Sequence, residues 1–235
     1  MRGDLETRPV LAVTGLTMEA RIAAGPGVEV VCSGCDPARL RALLDALAPE
    51  RYRAVISFGI SGALDPALKP GDIVVATEIR FDSVALALAP TLAGALTDHL
   101  NRIGRATTSA TIVGANAPVI EAATKAELRQ QTGAAAVDTE SHLAASFGAA
   151  AGLPVAAVRV ISDPAHRNLP ALAAHAIRPD GRVDVTAVCV RLARNPGQIP
   201  LLIQAGLDAR KAFATLRRVR GLLDFGRGFG GADVR

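Results

Sequence analysis

A single-domain three-layer α/β/α fold, with helices on both faces of a twisted, mostly parallel mixed sheet, is the architecture this sequence predicts. Three observations carry the prediction. Short β-branched runs alternate with helix-period segments from Val10 to about Val219. Several runs, Ala54 to Phe58 above all, are apolar on both faces, as strands inside a parallel sheet must be. No Pro-, Ser- or Gly-rich linker interrupts the chain before its end, so the 235 residues divide into one domain over 1–220 and a tail over 221–235 that reads as disordered.

Val10 to Thr14 is the first buried strand, ended by Gly15. A short helix begins near Thr17 with Glu19 in its first turn. Val28 to Cys32 is the second strand. Gly34 and Pro37 open a helix through Ala48, with Leu40, Leu43, Leu44 and Leu47 at helical spacing. Ala54 to Phe58 is the third strand, and Gly59-Ile-Ser-Gly-Ala-Leu-Asp-Pro66 reads as the loop after it. Its glycines allow either a tight turn or a close approach of backbone to ligand. The loop is neither a dinucleotide fingerprint nor a P-loop. Lys69-Pro-Gly-Asp72 is a turn and Ile73 to Ala76 a strand. Pro90 to Arg102 is a helix, and Thr107 to Val113 a strand ending at Gly114-Ala-Asn116. Thr124 to Gln131 is a short amphipathic helix and Ala135 to Asp138 a brief strand. Glu140 begins a small-residue helix to Ala151, and Val155 to Ile161 is a further buried strand. Val185 to Arg194 and Ile199 to about Val219 are terminal helices divided by Asn195-Pro-Gly197. No internal repeat is present.

The formal net charge of +4 is spread along most of the chain, and with no Trp and one Tyr there is no stacking platform. This excludes an ordinary nucleic-acid binder. The one dense basic stretch runs from Arg210-Lys211 through Arg217-Arg218 to Arg220. It reads as the solvated face of a helix, with attraction to an anionic membrane surface as the alternative. The longest uncharged stretch, Ser83 to Thr97, is broken by Pro90 and Gly94 and falls short of the roughly 18 apolar residues a spanning helix needs. Any membrane contact is therefore peripheral. The acids at the N-terminus do not suit a secretory signal, and three cysteines without a framework indicate a reducing cytoplasm. Cys32 and Cys35 form a C-x-x-C with no second pair, and Cys32 reads as a core residue. No histidine pair has metal-ligand spacing, so no metal is expected. His99 and His175 read as surface residues, and no G-x-S-x-G marks a serine nucleophile.

The chemistry-bearing residues stand where strands leave the sheet. Ala156-Ala-Val-Arg-Val-Ile-Ser-Asp163 runs from an apolar strand into a polar pair before Pro164. Ligands collect at such carboxyl ends of strands in open α/β sheets. A carboxylate on an apolar floor there can serve as a proton donor. A second acidic cluster is Val137-Asp-Thr-Glu-Ser-His142, and a third is Met18-Glu19. Taken alone, each has a plain structural reading. Asp163 would cap a turn, Glu19 and Glu140 would be helix N-terminal acids, and Asp138 would be a helix cap.

Five segments in order, Thr14-Gly-Leu-Thr-Met-Glu-Ala-Arg21, Phe58-Gly-Ile-Ser-Gly-Ala-Leu64, Lys69-Pro-Gly-Asp-Ile-Val-Val75, Val137-Asp-Thr-Glu140 and Val158-Arg-Val-Ile-Ser-Asp163, resemble the nucleoside phosphorylase and nucleosidase superfamily. Within it the chain is similar to the methylthioadenosine/S-adenosylhomocysteine nucleosidases. It is more similar still to the hopanoid-associated phosphorylases, thought to remove adenine from adenosylhopane. The Thr-Gly-Leu opening, Glu-Ser-His, Arg-Val-Ile-Ser-Asp-Pro-Ala and the C-terminal Arg-Asn-Pro-Gly-Gln carry that branch. The resemblance implies an N-ribosyl-cleaving enzyme, a hydrolase or glycosyltransferase, that releases adenine from a 5′-substituted adenosine. It implies Asp163 as the acid at N7 of the purine, supported by Ser162, and Glu140 as the carboxylate on the ribose hydroxyls. It implies Glu19 as the base that orients the attacking water and Arg159 as the Arg that helps place it. Gly59, Ile60, Ser61 and Gly62 would form the glycine loop. Gly114, Ala115 and Asn116 would lay backbone against the adenine edge, and Thr139 would lie beneath the ribose.

Departures from the family pattern shape the rest. Ser57 and Ile60 stand where phosphate-using members place an Arg and a Ser or Thr, which leans the acceptor towards water; Arg21, Arg39 or Arg80 would have to substitute. No aromatic among Ala115, Asn116, Ala117 and Pro118 stacks on the base, so backbone and aliphatic contacts hold it. Thr139 replaces a Met under the ribose, changing how the 5′ group sits. No cofactor is implied beyond phosphate as a co-substrate. The expected partners are a small-molecule or lipid-linked adenosyl substrate and copies of the chain in a homo-oligomer. A lipid substrate needs an apolar channel, for which Phe81 to Leu88 and the cluster Leu201, Leu202 and Ile203 are the candidates. His142 points away from ligand, and His166, which follows Asp163 closely, reads more readily as a loop residue than as a substrate contact. Other readings are a methylthioadenosine/S-adenosylhomocysteine nucleosidase, a general purine nucleoside phosphorylase, a non-catalytic adenosyl-binding module and a dinucleotide-binding oxidoreductase.

Overall fold

The computed structural model describes residues 7–101, 107–170 and 196–223, with positions 178, 180–182, 184, 186 and 190 between them. Its strands are β1 (Val10–Thr14), β2 (Val28–Cys32), β3 (Ala54–Ala63), β4 (Ile73–Phe81), β5 (Val84–Ala87), β6 (Thr107–Gly114), β7 (Ala136–Asp138) and β8 (Val155–Asp163). Its helices are α1 (Thr17–Ala23), α2 (Pro37–Asp45), α3 (Pro90–Leu100), α4 (Ala122–Thr132), α5 (Ser141–Ala150) and α6 (Ile199–Leu222). All eight strands join one mixed sheet. The pairs β1–β2, β1–β3, β3–β8, β4–β6 and β6–β7 are parallel; β3–β7, β4–β5 and β4–β8 are antiparallel. Because β8 pairs both β3 and β4, while β7 joins β6 back to β3, the sheet curls until it closes on itself.

The two faces of β1 show the layers. Val10 and Ala12 pack with Ile56, Phe58 and Val158 against Ala212, Leu216 and Val219 of α6. Leu11 and Val13 pack with Val55 against Leu40 and Leu44 of α2 and Leu143 and Ala144 of α5. Period-2 alternation with both faces apolar thus places a helix layer on each side of the sheet. The start of α2 is set by Asp36, whose carboxylate accepts the N–H groups of Ala38 (2.9 Å) and Arg39 (3.1 Å), with Pro37 at the first helical position. At the end of α4, Gly133 adopts φ 68°, the left-handed cap that glycine favours.

Several expected boundaries move. Gly59 to Ala63 is not a loop but the second half of β3, paired with β8 and β7. Ser162 and Asp163 end β8 rather than stand beyond it. β4 runs on to Phe81 and turns through Asp82-Ser83 into β5, a hairpin that the sequence pattern does not announce; Asp82 takes the positive φ of 49° that such a turn needs. α2 stops at Asp45, short of Ala48. The segment from Phe81 to Leu88, expected as an apolar channel, is this hairpin and lines no part of the cavity that holds the site acids. The helix expected over Val185 to Arg194 lies almost wholly outside the described residues, as do His175, Cys189 and the chain beyond 223.

Candidate active site

Arg159 sits on β8 in the middle of the sheet, and its side chain is fully buried. A buried cation needs partners on every side, because stripping its water costs several kcal/mol. Here Nε pairs with Asp138 (2.6 Å) and Nη2 with Glu140 (3.3 Å) and Ser57 Oγ (2.6 Å), while Nη1 faces the Ile60 carbonyl (3.4 Å). Burial works against the guanidinium charge, but Asp138, Glu140 and Glu19 outweigh it and hold its pKa above the ordinary value. Ser57 also accepts from Ser141 Oγ (3.0 Å) and is wholly buried.

Glu19 lies in the first turn of α1, and its helix role and its site role coincide. One carboxylate oxygen accepts the N–H groups of Gly15 and Leu16, both at 2.8 Å, which are donors the helix start leaves unpaired. The other accepts the N–H of Ile60 on β3 at 2.7 Å. Burial raises the Glu19 carboxyl above its ordinary value, while Arg159 and the three N–H donors work in the other direction. Gly59 makes the meeting possible: a Cβ there would stand 2.6 Å from Arg159 Nη1 and press into the Glu19 carboxylate. The glycine of β3 is required by side-chain crowding rather than by a turn.

Glu140 is the residue just before α5, with backbone in the helical region and no capping bond from its own side chain. It accepts from Thr139 Oγ1 (2.5 Å) and pairs with Arg159. Burial, opposed by Arg159 and reinforced by Asp138 and Glu19, pushes its carboxyl up to about 7. Asp138 does two things. One oxygen accepts the N–H groups of Glu140 (3.1 Å) and Ser141 (2.8 Å), capping α5; the other binds Arg159 and Ser141 Oγ.

At the far side, Asp163 forms an ion pair with Lys125 of α4 and accepts from Ser162 Oγ at 2.7 Å. Lys125 is fully buried and also donates to the carbonyls of Pro164 and Arg167, each at 3.2 Å. Gly62 admits the Asp163 carboxylate, whose Oδ2 would lie 3.2 Å from a Cβ at that position.

Glu19, Glu140 and Asp163 line one cavity of about 460 Å³, within the range of small-molecule sites. Ile60, Ser61, Gly62, Thr139 and Ser162 line it as well, and Ser61 Oγ is buried without a hydrogen-bond partner. One wall is α6, through Leu202, Ala205, Gly206, Ala209 and Phe213.

Other expected residues stand elsewhere. Arg159 lies beneath the floor and is not among the cavity's lining residues; its bonds are directed to Asp138, Glu140 and Ser57. Gly59 is behind the same floor. Gly114, Ala115 and Asn116 do not reach the cavity; the wall there is Ala117, Pro118, Val119 and Ile120. The reason is that β6 stays in the sheet through Gly114, which packs against His142, and the Ala115 N–H is bonded to the Asp138 carbonyl (2.8 Å). His142 is buried, stacks on Phe81 at 4.1 Å between centroids and lines no part of the cavity; His166 is exposed and likewise outside it. Cys35, at φ 59°, does line the cavity, and burial, then the nearby Glu140 and Glu19, push its thiol pKa far up. Among the described residues no cluster of three His, Cys, Asp or Glu could hold a metal.

Two residues escape sequence reasoning. Asp138 reads as a cap alone, which is half of its role. Lys125 carries no signal, since a lysine in a short helix reads as solvated.

A sequence profile of the phosphorylase superfamily matches residues 2–199. Among solved structures the chain is similar to a mutant 5′-methylthioadenosine/S-adenosylhomocysteine nucleosidase of Helicobacter pylori with 5′-methylthioadenosine in the active site, at TM-score 0.63 and 14% identity over 92% of this chain and 99% of that one. It is similar to the futalosine hydrolase of Helicobacter pylori at TM-score 0.59 and 15% identity, over 67% and 88%. The nucleosidase of Campylobacter jejuni gives TM-score 0.60 at 12% identity, over 90% and 99%. At such identities the likeness is one of fold. With the profile spanning most of its length and the acids of its motifs gathered at one cavity, the chain belongs to the phosphorylase superfamily.

Proposed function

We propose that this cavity cleaves the N-glycosidic bond of a 5′-substituted adenosine, adenosylhopane by the motif resemblance, with water as acceptor. The observation that carries the reading is the convergence of Glu19, Glu140 and Asp163, far apart in the chain, on one cavity. As the bond from C1′ to N9 breaks, its electron pair goes to the purine and positive charge builds on the ribose. The purine takes a proton at N7 from the Asp163–Lys125 pair. Glu140 accepts from the ribose hydroxyls and steadies the cationic sugar. Water attacks C1′ and gives its proton to Glu19, which burial makes a better proton acceptor than an exposed carboxylate.

The apolar wall from α6 suits an apolar 5′ substituent. The solved nucleosidase holding 5′-methylthioadenosine makes that smaller nucleoside a sensible first substrate. No helix among the described residues is long and apolar enough to cross a membrane. We place the enzyme in the cytoplasm, as a homo-oligomer. The test is chromatographic assay of free adenine from adenosylhopane and from methylthioadenosine. Asp163→Asn should lose activity by a factor of about 10²–10⁴, the usual worth of a positioned acid. Full activity in that variant removes the assigned acid, and tight adenosine binding without turnover in the unaltered protein turns the reading into a binding module.

A further inference from the structure

The helix α6 has three faces with different duties. Asp208, Ala212, Thr215, Leu216 and Val219 are buried, with Ala212, Leu216 and Val219 packed against the sheet. Leu202, Ala205, Gly206, Ala209 and Phe213 line the cavity. The remaining face is open. Its first half carries Ile199, Ile203 and Leu207 at four-residue steps, exposed by 40%, 60% and 53%. Its second half carries Arg210, Lys211, Arg217 and Arg218, all exposed. A depression on this face is lined by Leu207, Arg210, Lys211, Ala214, Thr215 and Arg218.

Three large apolar side chains in a row on a solvated helix face are unusual enough to mark a contact surface. The cations in the second half of the same face decide the partner. Arg210, Arg217 and Arg218 make no ion pair among the described residues, and Lys211 pairs with Asp208 (3.2 Å), the one acid of α6. A second copy of α6 laid on this face brings no acid to the cations, since Asp208 is the one acid of the helix and is already paired. A nucleic acid would find no aromatic on the face to stack on. A surface of anionic phospholipid satisfies both halves: acyl chains accept the apolar turn and headgroup phosphates meet the cations.

We propose that the open face of α6 docks on an anionic phospholipid surface, with Ile199, Ile203 and Leu207 entering the acyl boundary and Arg210, Arg217 and Arg218 on the headgroups. Leu202, one residue before Ile203, belongs to the cavity wall, so docking brings the apolar side of the cavity next to the bilayer. The proposal stands apart from the reading of the cavity, because binding is measured without turnover.

The experiment is co-sedimentation of the full chain with phosphatidylcholine vesicles, with and without phosphatidylglycerol. Binding is expected on the mixed vesicles alone and is weakened by salt. Each cation removed should weaken it about fivefold, so the triple variant Arg210→Gln, Arg217→Gln, Arg218→Gln loses about a hundredfold. Ile203→Ser with Leu207→Ser should weaken binding without altering sedimentation velocity of the free protein. Circular dichroism checks that the variants fold. Equal binding to both vesicle types, no binding to either, or an unaffected triple variant overturns the proposal. A smaller oligomer in the serine variant also overturns it, and makes the face a contact between copies.

Discussion

Lys125→Met isolates the one buried ion pair that the helix pattern of the sequence gave no reason to expect. The change keeps a side chain of similar length and removes three donated hydrogen bonds, to Asp163 and to the carbonyls of Pro164 and Arg167. Lys125 is 0% exposed and Asp163 5%, so water cannot readily replace the lost ammonium. Removing one partner of a buried pair leaves an uncompensated charge and costs about 3–5 kcal/mol. That is a large part of the roughly 5–15 kcal/mol that holds a domain folded. Urea denaturation of four proteins, the parent, Lys125→Met, Asp163→Asn and the double variant, gives the coupling. The double variant should recover most of the loss, since it also removes the stranded carboxylate. A cost near 1 kcal/mol or below, or a coupling near zero, refutes the argument, because it would mean that the pair behaves like one at the surface.

Gly59→Ala should be costly although no turn is involved. Its Cβ would lie 2.6 Å from Arg159 Nη1, and displacing the site by about 1 Å is enough to lower kcat about a hundredfold; kinetics on methylthioadenosine checks it, and unchanged kcat denies the crowding. The pH dependence should show the raised Glu140 carboxyl: kcat/KM falls as pH drops below about 7 and Glu140 takes up a proton, and Glu140→Gln abolishes that limb. Cys35 should resist alkylation by iodoacetamide in the folded protein and react on unfolding, since burial and the neighbouring Glu140 and Glu19 keep its thiol protonated; mass spectrometry reads the difference.

The strands that build the layers were legible because burial on both faces writes itself as a β-branched run, as in β1, and helix starts such as Asp36-Pro37 carry their own capping chemistry. Glycine was the misleading residue. Gly59 and Gly62 look like turn residues, yet they lie inside β3, where each vacates space for a carboxylate arriving from another element. A local pattern cannot distinguish a glycine that bends its own backbone from one that makes room for a distant side chain. Asp138 shows the same limit: its cap is written locally, whereas its bond to Arg159 comes from the adjacency of β3 to both β7 and β8. Lys125 is the extreme case, a cation whose partner is 38 residues away in sequence. The three acids that converge on the cavity were reached through motif resemblance, since each alone is an ordinary helix-end or turn residue.

The choice between water and phosphate is one of charge. Glu19, Asp138, Glu140 and Asp163 line the cavity, and no cation does so among the described residues. Arg159 is below the floor and committed to Asp138, Glu140 and Ser57, while Arg80 is paired with Glu78 and the Thr132 carbonyl, away from the cavity. Arg21 and Arg39 are exposed and line no part of it. Two like unit charges about 4 Å apart at an effective dielectric of about 20 repel by about 4 kcal/mol. Beside Glu19, whose carboxylate is held by N–H groups of Gly15, Leu16 and Ile60 rather than by an ion pair, a phosphate dianion meets a repulsion that neutral water does not. Adenine release should be independent of inorganic phosphate, and the sugar product should carry no phosphate at C1′. Acceleration by phosphate, with a ribose 1-phosphate derivative as product, would show that a cation reaches the cavity and would reverse the assignment of the acceptor.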